Sequence, residues 1–426
     1  FKNANDRPRI AVVGCGSRWD QRATLANGPY GVGKEFPKFG DIVAVCDVDK
    51  SRLERAVKLV KEWLGTEPEA TSDYRKIIDR DDIDIVHVST PDHWHAKVAV
   101  EAMLSGRDVY CEKPMTLTIA EGQQLSEVYE QTGRILQVGT QQRSMKQMLT
   151  AIALIRAGRL GTLRMAQCAI GGGPTSPNLP TAKPPKQLDW DRWTGPAPLA
   201  QYRTQDGANN ETKQWSRGHY EFRWWYEYSG GKLTDWGAHH VDIATWGLGK
   251  TDTGPVKIDP IMVKHPVEFR DGMPTRDDCY NTATEFNIKA TFADDVELIL
   301  RHDTGNGILF EGTEGRIFVN RGRLTGRPVE DLKNHPLPDG TLEEAYGREL
   351  TGHVENFFRA VVDRRPAISE PTSHHRSLTT CHLAGIAARL GRQVTWDPGR
   401  EKIANDELAQ SFVSRASRKG YEIELG

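Results

Sequence analysis

Arg9-Ile-Ala-Val-Val-Gly-Cys-Gly16 is a short apolar run that ends in Gly-x-Gly. Apolar from Ile10 on, it reads as a strand of a parallel sheet. The glycine pair reads as the first turn of a dinucleotide-binding βαβ unit. Gly14 permits the tight turn, and Gly16 lets backbone approach a pyrophosphate, with Ser17 and Arg18 beside it. The motif's third glycine is missing. Trp19 stands there, which predicts unusual packing of the first helix or Arg18 lying near phosphate.

Working outward, Ile42-Val-Ala-Val-Cys-Asp47 is a second buried strand closed by an acid. Asp47 is placed to accept hydrogen bonds from a ribose diol, and its charge would repel a 2′-phosphate; NAD is therefore expected over NADP. The competing reading is an acid that caps the helix at 51–64. The spacing from Gly16 exceeds the usual ~20 residues, and the Gly/Pro-rich stretch 28–40 reads as an inserted loop. Asp84-Ile-Val-His-Val-Ser-Thr-Pro91 is a third strand, running through Thr90 and Pro91 into Asp92-His-Trp-His95 and a helix at 96–105. His93 and Trp94 either approach the nicotinamide or cap that helix.

A fourth strand at 108–111 ends in Glu112-Lys113-Pro114. Proline cannot continue a ladder and biases Lys113 towards extended backbone. A lysine fixed at the carboxyl end of such a strand points into the ligand crevice of an open α/β sheet. Alone, three residues suit an ordinary surface Glu-Lys equally well. A helix at 121–132 and a strand at 135–139 follow, so strands and helices alternate to residue 142, as in a parallel sheet with right-handed crossovers.

Beyond 142 the pattern changes. A helix at 147–157 and a half-buried strand at 163–170 lead into a Pro/Gly-rich loop at 171–198. Strand-like runs at 282–292, 296–302, 308–310 and 316–319 suit an antiparallel sheet. Helices at 354–362 and 377–390 close the second domain. The expected division is a dinucleotide-binding domain at 1–142 and a substrate-binding and oligomerisation domain at 143–426.

Composition agrees with this α/β class: 426 residues, 38% hydrophobic and 27% charged, with 40 glycines. A net charge of -2 gives no electrostatic case for nucleic acid or an anionic membrane. No apolar run approaches the roughly 18 residues of a membrane span. Cys15, Cys46, Cys111, Cys168, Cys279 and Cys381 are scattered without a Cys-x-x-Cys pair, so they read as buried thiols. The chain begins Phe-Lys-Asn-Ala-Asn-Asp without methionine, which tips the expectation slightly towards export after loss of a leader, with a cytoplasmic location as the alternative.

Gly230-Gly231-Lys-Leu-Thr-Asp235-Trp-Gly-Ala-His239-His240 holds the remaining chemistry. Asp235 and His239 lie one helical turn apart and share a face if Asp235 opens a helix. By itself this is a capped helix start with a packed histidine, and no metal-ligand template such as His-Glu-x-x-His is present. Trp215, Trp224, Trp225, Trp236 and Trp246 crowd the segment. Most are core; one or two, such as Trp225, are expected to face substrate with Arg223, Tyr226 or His240, because aromatic faces suit the C–H faces of sugar rings.

Taken in order, Gly14-x-Gly16, Asp47, Thr90-Pro91…His95, Glu112-Lys113-Pro114 and Asp235-x-x-x-His239 resemble the Gfo/Idh/MocA family of glucose–fructose oxidoreductase, inositol dehydrogenase and their relatives. The resemblance spans nearly the whole chain. It implies an N-terminal Rossmann domain, a C-terminal α/β domain with an open, mainly antiparallel sheet, and reversible hydride transfer between nicotinamide and a sugar or cyclitol hydroxyl carbon. The family's lysine falls on Lys113, its aspartate on Asp235 and its acid/base histidine on His239. Cofactor contacts are expected at Gly14, Gly16, Ser17, Arg18, Asp47, Thr90, Pro91, His95, Glu112 and Lys113. A homodimer or homotetramer is implied through the open sheet face. The competing activity is a redox-neutral glycosidase or lyase on a glycoside, which some family members perform with bound NAD.

Overall fold

The structure, a computed structural model, describes residues 7–20, 24–25, 28–29, 31–207 and 214–423. The opening residues 1–6, on which the export reading rests, lie outside the described residues.

The apolar runs pair as six parallel strands. They are β1 (Arg9–Val13), β2 (Asp41–Cys46), β3 (Glu69–Thr71), β4 (Ile85–Val88), β5 (Asp108–Cys111) and β6 (Leu136–Val138), in the spatial order β3-β2-β1-β4-β5-β6. The direction of strand progression reverses between β1 and β4, and the crevice at their carboxyl ends is where an open α/β sheet takes a ligand. Local chemistry sets the helix limits. Asp49 caps α1 (Lys50–Leu64) through Ser51 N and Arg52 N, and left-handed Gly65 ends it. Helix α2 (Asp92–Leu104) starts four residues earlier than the sequence suggested, directly after extended Pro91. Asp92 in its first turn favours that start, because the N-terminal N–H groups welcome a negative charge. A Thr118/Glu121 capping box opens α3 (Ile119–Thr132).

After α4 (Lys146–Arg156), the chain builds a nine-stranded sheet. Its strands are β7 (Leu163–Ala169), β8 (Lys257–Lys264), β9 (Glu285–Thr291), β10 (Glu297–Arg301), β11 (Gly307–Gly312), β12 (Arg316–Val319), β13 (Leu324–Thr325), β14 (Val394–Asp397) and β15 (Lys402–Ile403). The order is β13-β12-β11-β7-β10-β9-β8-β14-β15. Pairing of β7 with β10 is parallel, and the other pairings are antiparallel. Strand alternation turns Phe286, Ile288 and Ala290 of β9 inward, against helices α5 (Gly237–Gly247) and α7 (Pro371–Leu390).

Within 171–198, read as a loop, Trp190–Thr194 is a short helix capped by Asp189, and one further assignment changes. Residues 354–362, read as closing the second domain, form α6 (His353–Asp363). Val354, Phe357, Phe358 and Val361 pack with Ile10, Val12, Ile85 and Tyr110 of the parallel sheet. That sheet needs apolar cover on both faces, so late chain returns to supply it. All six cysteines are buried and free. No described helix is long and apolar enough to cross a membrane.

Candidate active site

A cavity of about 380 Å³ runs along the carboxyl ends of β1, β2, β4 and β5. One end is lined by Asp47, Arg52 and Tyr74, and the other by Lys113, Asp235, Trp236, His239 and Arg321. The fit to a dinucleotide is visible in the glycine turn. Gly14 has φ +90°, and a Cβ there would stand 2.6 Å from Ser89 C and Thr90 N. Only glycine therefore lets β1 turn this close to β4. A Cβ on Gly16 would come within 2.5 Å of Arg52 Nη1. Asp47 ends β2 with its carboxylate accepting from Cys15 N at 2.7 Å and Asp49 N at 2.8 Å. Burial pushes its pKa up, against the opposing pull of Arg52 and these N–H groups.

Trp19, standing where a third glycine was expected, is fully buried and meets Trp63 at 5.3 Å between ring centroids. Gly33 makes the room: a Cβ there would lie 2.7 Å from Trp19 Nε1. The inserted loop thus carries the small residue that the motif gave up. Arg18, expected near phosphate, lines the cavity. Its guanidinium pairs with Glu112 at 2.9 Å. Burial alone would raise the Glu112 pKa, but Arg18 outweighs it and the carboxyl sits below its ordinary value.

At the other end, Lys113 Nζ donates to Asp235 Oδ1 at 2.5 Å and to the Asp235 carbonyl at 3.0 Å. Arg223 Nε stands 3.5 Å from the same Oδ1. Burial would raise the Asp235 pKa; Lys113, Arg223 and Lys232 overcome it, and the group stays ionised. Asp235 ends a short turn (Lys232–Asp235) and His239 lies in the first turn of α5, so both line the cavity. His239 is 2% exposed, and neither imidazole nitrogen has a hydrogen-bond partner among the described residues. Burial first, and Lys113 second, hold its pKa well below 6.5. A buried imidazole with both nitrogens unmet is a costly arrangement unless a ligand completes it.

The remaining expected residues divide. Ser17, Thr90, Pro91, His95 and Arg223 line the cavity. His95 also joins two turns, with Nδ1 2.7 Å from the Pro114 carbonyl and Nε2 2.8 Å from that of Thr90. Trp225, Tyr226 and His240 do not line it. Trp225 is fully buried, donating from Nε1 to Ser216 O at 3.0 Å under the Arg217 guanidinium. The Tyr226 hydroxyl meets His265 Nε2 at 3.2 Å. His240, adjacent to His239 but rotated round the helix, contacts Asn306 Oδ1 at 3.1 Å, and burial lowers its pKa to about 4. Of the histidine–tryptophan pair after β4, Trp94 lines the cavity, whereas His93 Nε2 lies 2.9 Å from the Trp193 carbonyl.

Trp236 was one of five tryptophans of which one or two were expected to face substrate, and it is the one of the five that lines the cavity. Several other cavity residues were not foreseen. His219 Nε2 meets Asp49 Oδ2 at 3.0 Å, and the backbone of Gln187 and Asp189 bonds to Lys50 N and Val48 O. Second-domain loops thereby fasten to the turn that holds Asp47. Arg321 comes from the β12–β13 turn, and no local signal marked it.

A parallel sheet with a glycine turn, and a lysine–aspartate–histidine set beyond the carboxyl ends of its strands, is the layout of a nucleotide-dependent oxidoreductase. Residues 8–140 match the NAD-binding Rossmann fold of the oxidoreductase family, and residues 173–423 match that family's C-terminal alpha/beta domain. The chain belongs to the Gfo/Idh/MocA family, and its Rossmann domain is NAD-binding. Among curated relatives, glycosyl hydrolase family 109 protein 1 of Shewanella sp. (strain ANA-3) is 31% identical over 133 residues, 30% of this chain and 29% of that protein. An alpha-N-acetylgalactosaminidase of Shewanella oneidensis is 30% identical over the same shares. The chain thus spans under a third of these relatives' length. Among solved structures, the WlbA dehydrogenase from Bordetella pertussis in complex with NADH and UDP-GlcNAcA aligns at TM-score 0.58 and 16% identity, over 92% of this chain and 99% of that one. The aldose-aldose oxidoreductase from Caulobacter crescentus aligns at TM-score 0.55 and 19% identity, over 91% and 99%. At such identities these structures speak to the fold.

Proposed function

We propose that this NAD-dependent oxidoreductase works on a hydroxyl-bearing carbon of a sugar or cyclitol. The observation that carries the reading is His239, a buried imidazole with two unmet nitrogens, lining the same cavity as the Lys113 ammonium. Gly14, Gly16, Ser17, Arg18 and Asp47 would hold NAD, which would supply the hydride acceptor for the carbinol carbon. A neutral His239 takes the hydroxyl proton through one ring nitrogen and returns it in the reverse direction. Lys113 donates to the reacting oxygen and favours the developing alkoxide, while Asp235 holds that ammonium in place.

The test denatures purified protein, measures released NAD and NADP, and screens sugars, cyclitols and aryl glycosides for NADH formation and aglycone release. His239→Ala and Lys113→Met should each lower turnover at least about 100-fold, in keeping with lost acid–base and electrostatic assistance. Near-normal turnover in either variant would overturn the assignment.

A second reading is favoured by the glycosyl hydrolase matches. Oxidation would acidify the neighbouring C–H, the aglycone would be eliminated, water would add, and the hydride would return. Aglycone release with no net NADH selects this cycle. Export, if it occurs, would favour it too, because a secreted enzyme meets no NAD pool. The homodimer or homotetramer would form through the sheet face carrying exposed Ile261 and Met262, which light scattering can check.

A further inference from the structure

Most cations of the cavity have a carboxylate. Lys113 and Arg223 share Asp235, Arg18 has Glu112, and Arg75 has Asp73. Arg321 differs. It sits at the tip of the β12–β13 turn, which Asn320 shapes by accepting from Gly322 N and Arg323 N at 2.9 Å. Asn320 also bonds the carbonyl of Asn306, whose side chain meets His240. The tip is thereby moored beside the catalytic helix. The Arg321 guanidinium lies 4.7 Å from the Trp236 ring centroid, and Nε stands 3.1 Å from the Gln142 amide oxygen once that amide is turned to suit its neighbours. Nη2 is buried and has no hydrogen-bond partner, and among the described residues no carboxylate lies within ion-pair distance.

A guanidinium stacked on an indole presents its edge, with N–H groups in one plane. Keeping a buried donor of a permanent cation unmet is costly, and an oxyanion is the group that best meets it. Arg321 lines the cavity with His239 and Lys113, and its charge also contributes to the low pKa of His239.

Building on the carbohydrate reading above, we infer that Arg321 binds a carboxylate on the substrate, so that the enzyme's substrates are acidic sugars of the hexuronate class. Carboxylate and guanidinium meet in plane, the carbinol to be oxidised lies between that acid group and the Lys113–His239 pair, and the Trp236 ring holds the guanidinium from turning away.

The test is calorimetric binding to the NAD-loaded enzyme of methyl glucuronoside, galacturonoside and mannuronoside against the matching neutral methyl hexosides. At least one uronoside should bind 100-fold or more tighter than its neutral partner. Arg321→Gln should erase that preference while leaving neutral-sugar and NAD affinity within about twofold; Arg321→Lys should retain part of it. Equal binding of acid and neutral sugars, no uronoside binding at all, or an Arg321→Gln variant whose loss is in NAD affinity would each overturn the inference. Because the readout is binding, it stands apart from the catalytic reading. A uronoside that binds through Arg321 yet gives neither NADH nor cleavage would sink the proposed activity and leave the acid site standing.

Discussion

His239 owes its chemistry to where it is kept. A histidine in water is half protonated near pH 6.5, whereas this one is sealed in the cavity wall near an ammonium and held well below that value. It is therefore neutral, and able to accept a proton, throughout the neutral range. The kcat/KM profile should run flat through pH 6.5 on its acid side and fall only well below. An acid limb centred near 6.5 would place the proton acceptor elsewhere. Lys113→Met removes the second cause of the depression, so the same limb should move up towards 6.5 as turnover falls. A limb that stayed put would show that burial and the remaining charges, Arg321 among them, set the imidazole without Lys113.

At the scale of elements, two substitutions report how the site is held. Trp19 fills the space that the first helix and the inserted loop leave beside Gly33. Trp19→Ala should cost about 3–5 kcal/mol by cavity formation, read as a lowered Tm, while the NAD affinity of the folded protein changes little. A lost cofactor site at unchanged Tm would contradict this. Arg143 joins the turn after β6 to α5, the helix that carries His239, through two bonds of 2.7 Å to Asp242, both residues being buried. Arg143→Met leaves the buried Asp242 carboxylate with His374, 3.4 Å away, in place of its guanidinium and should cost about 3–5 kcal/mol. Turnover should fall as well, because Asp242 lies a turn along from His239 on the same helix; replacing both partners by apolar residues should restore much of the Tm and not the rate. These elements also show what the chain could disclose in advance. Lys113, Asp47 and the glycine turn were legible because each lies at a strand end, where local sequence decides direction. Trp225, Tyr226 and His240 were misplaced because nearness along the chain does not settle which way a side chain points; successive helical residues diverge by about 100°. Arg321 was invisible because only the order of the nine-stranded sheet brings its turn to Trp236, and α6 because a parallel sheet can recruit its cover from anywhere in the chain.

Across the whole molecule, the histidines set the pH range in which the fold survives. Burial lowers His87, His93 and His382 to about 3, and His240, His265 and His353 to about 4, while His239 is also strongly depressed. In the unfolded chain each would take a proton near pH 6.5. Below that pH the unfolded state therefore binds more protons than the folded one, and stability must fall as pH falls. Each group contributes up to about 1.4 kcal/mol per pH unit between 6.5 and its folded value. Seven acting at even a fraction of this would consume a margin of about 5–15 kcal/mol within two or three units. Asp242 and Glu401, both held at about 2 in spite of burial by their basic partners, add loss of the same sign lower down. Asp47, Asp92 and Glu121, raised by burial, work the other way and offset part of it. The Tm should accordingly drop steadily from pH 7 to pH 5, before most carboxylates titrate, and His240→Gln should make that drop shallower by removing one proton from the balance. A Tm unchanged between pH 7 and 5 would mean that these imidazoles reach water in the folded protein.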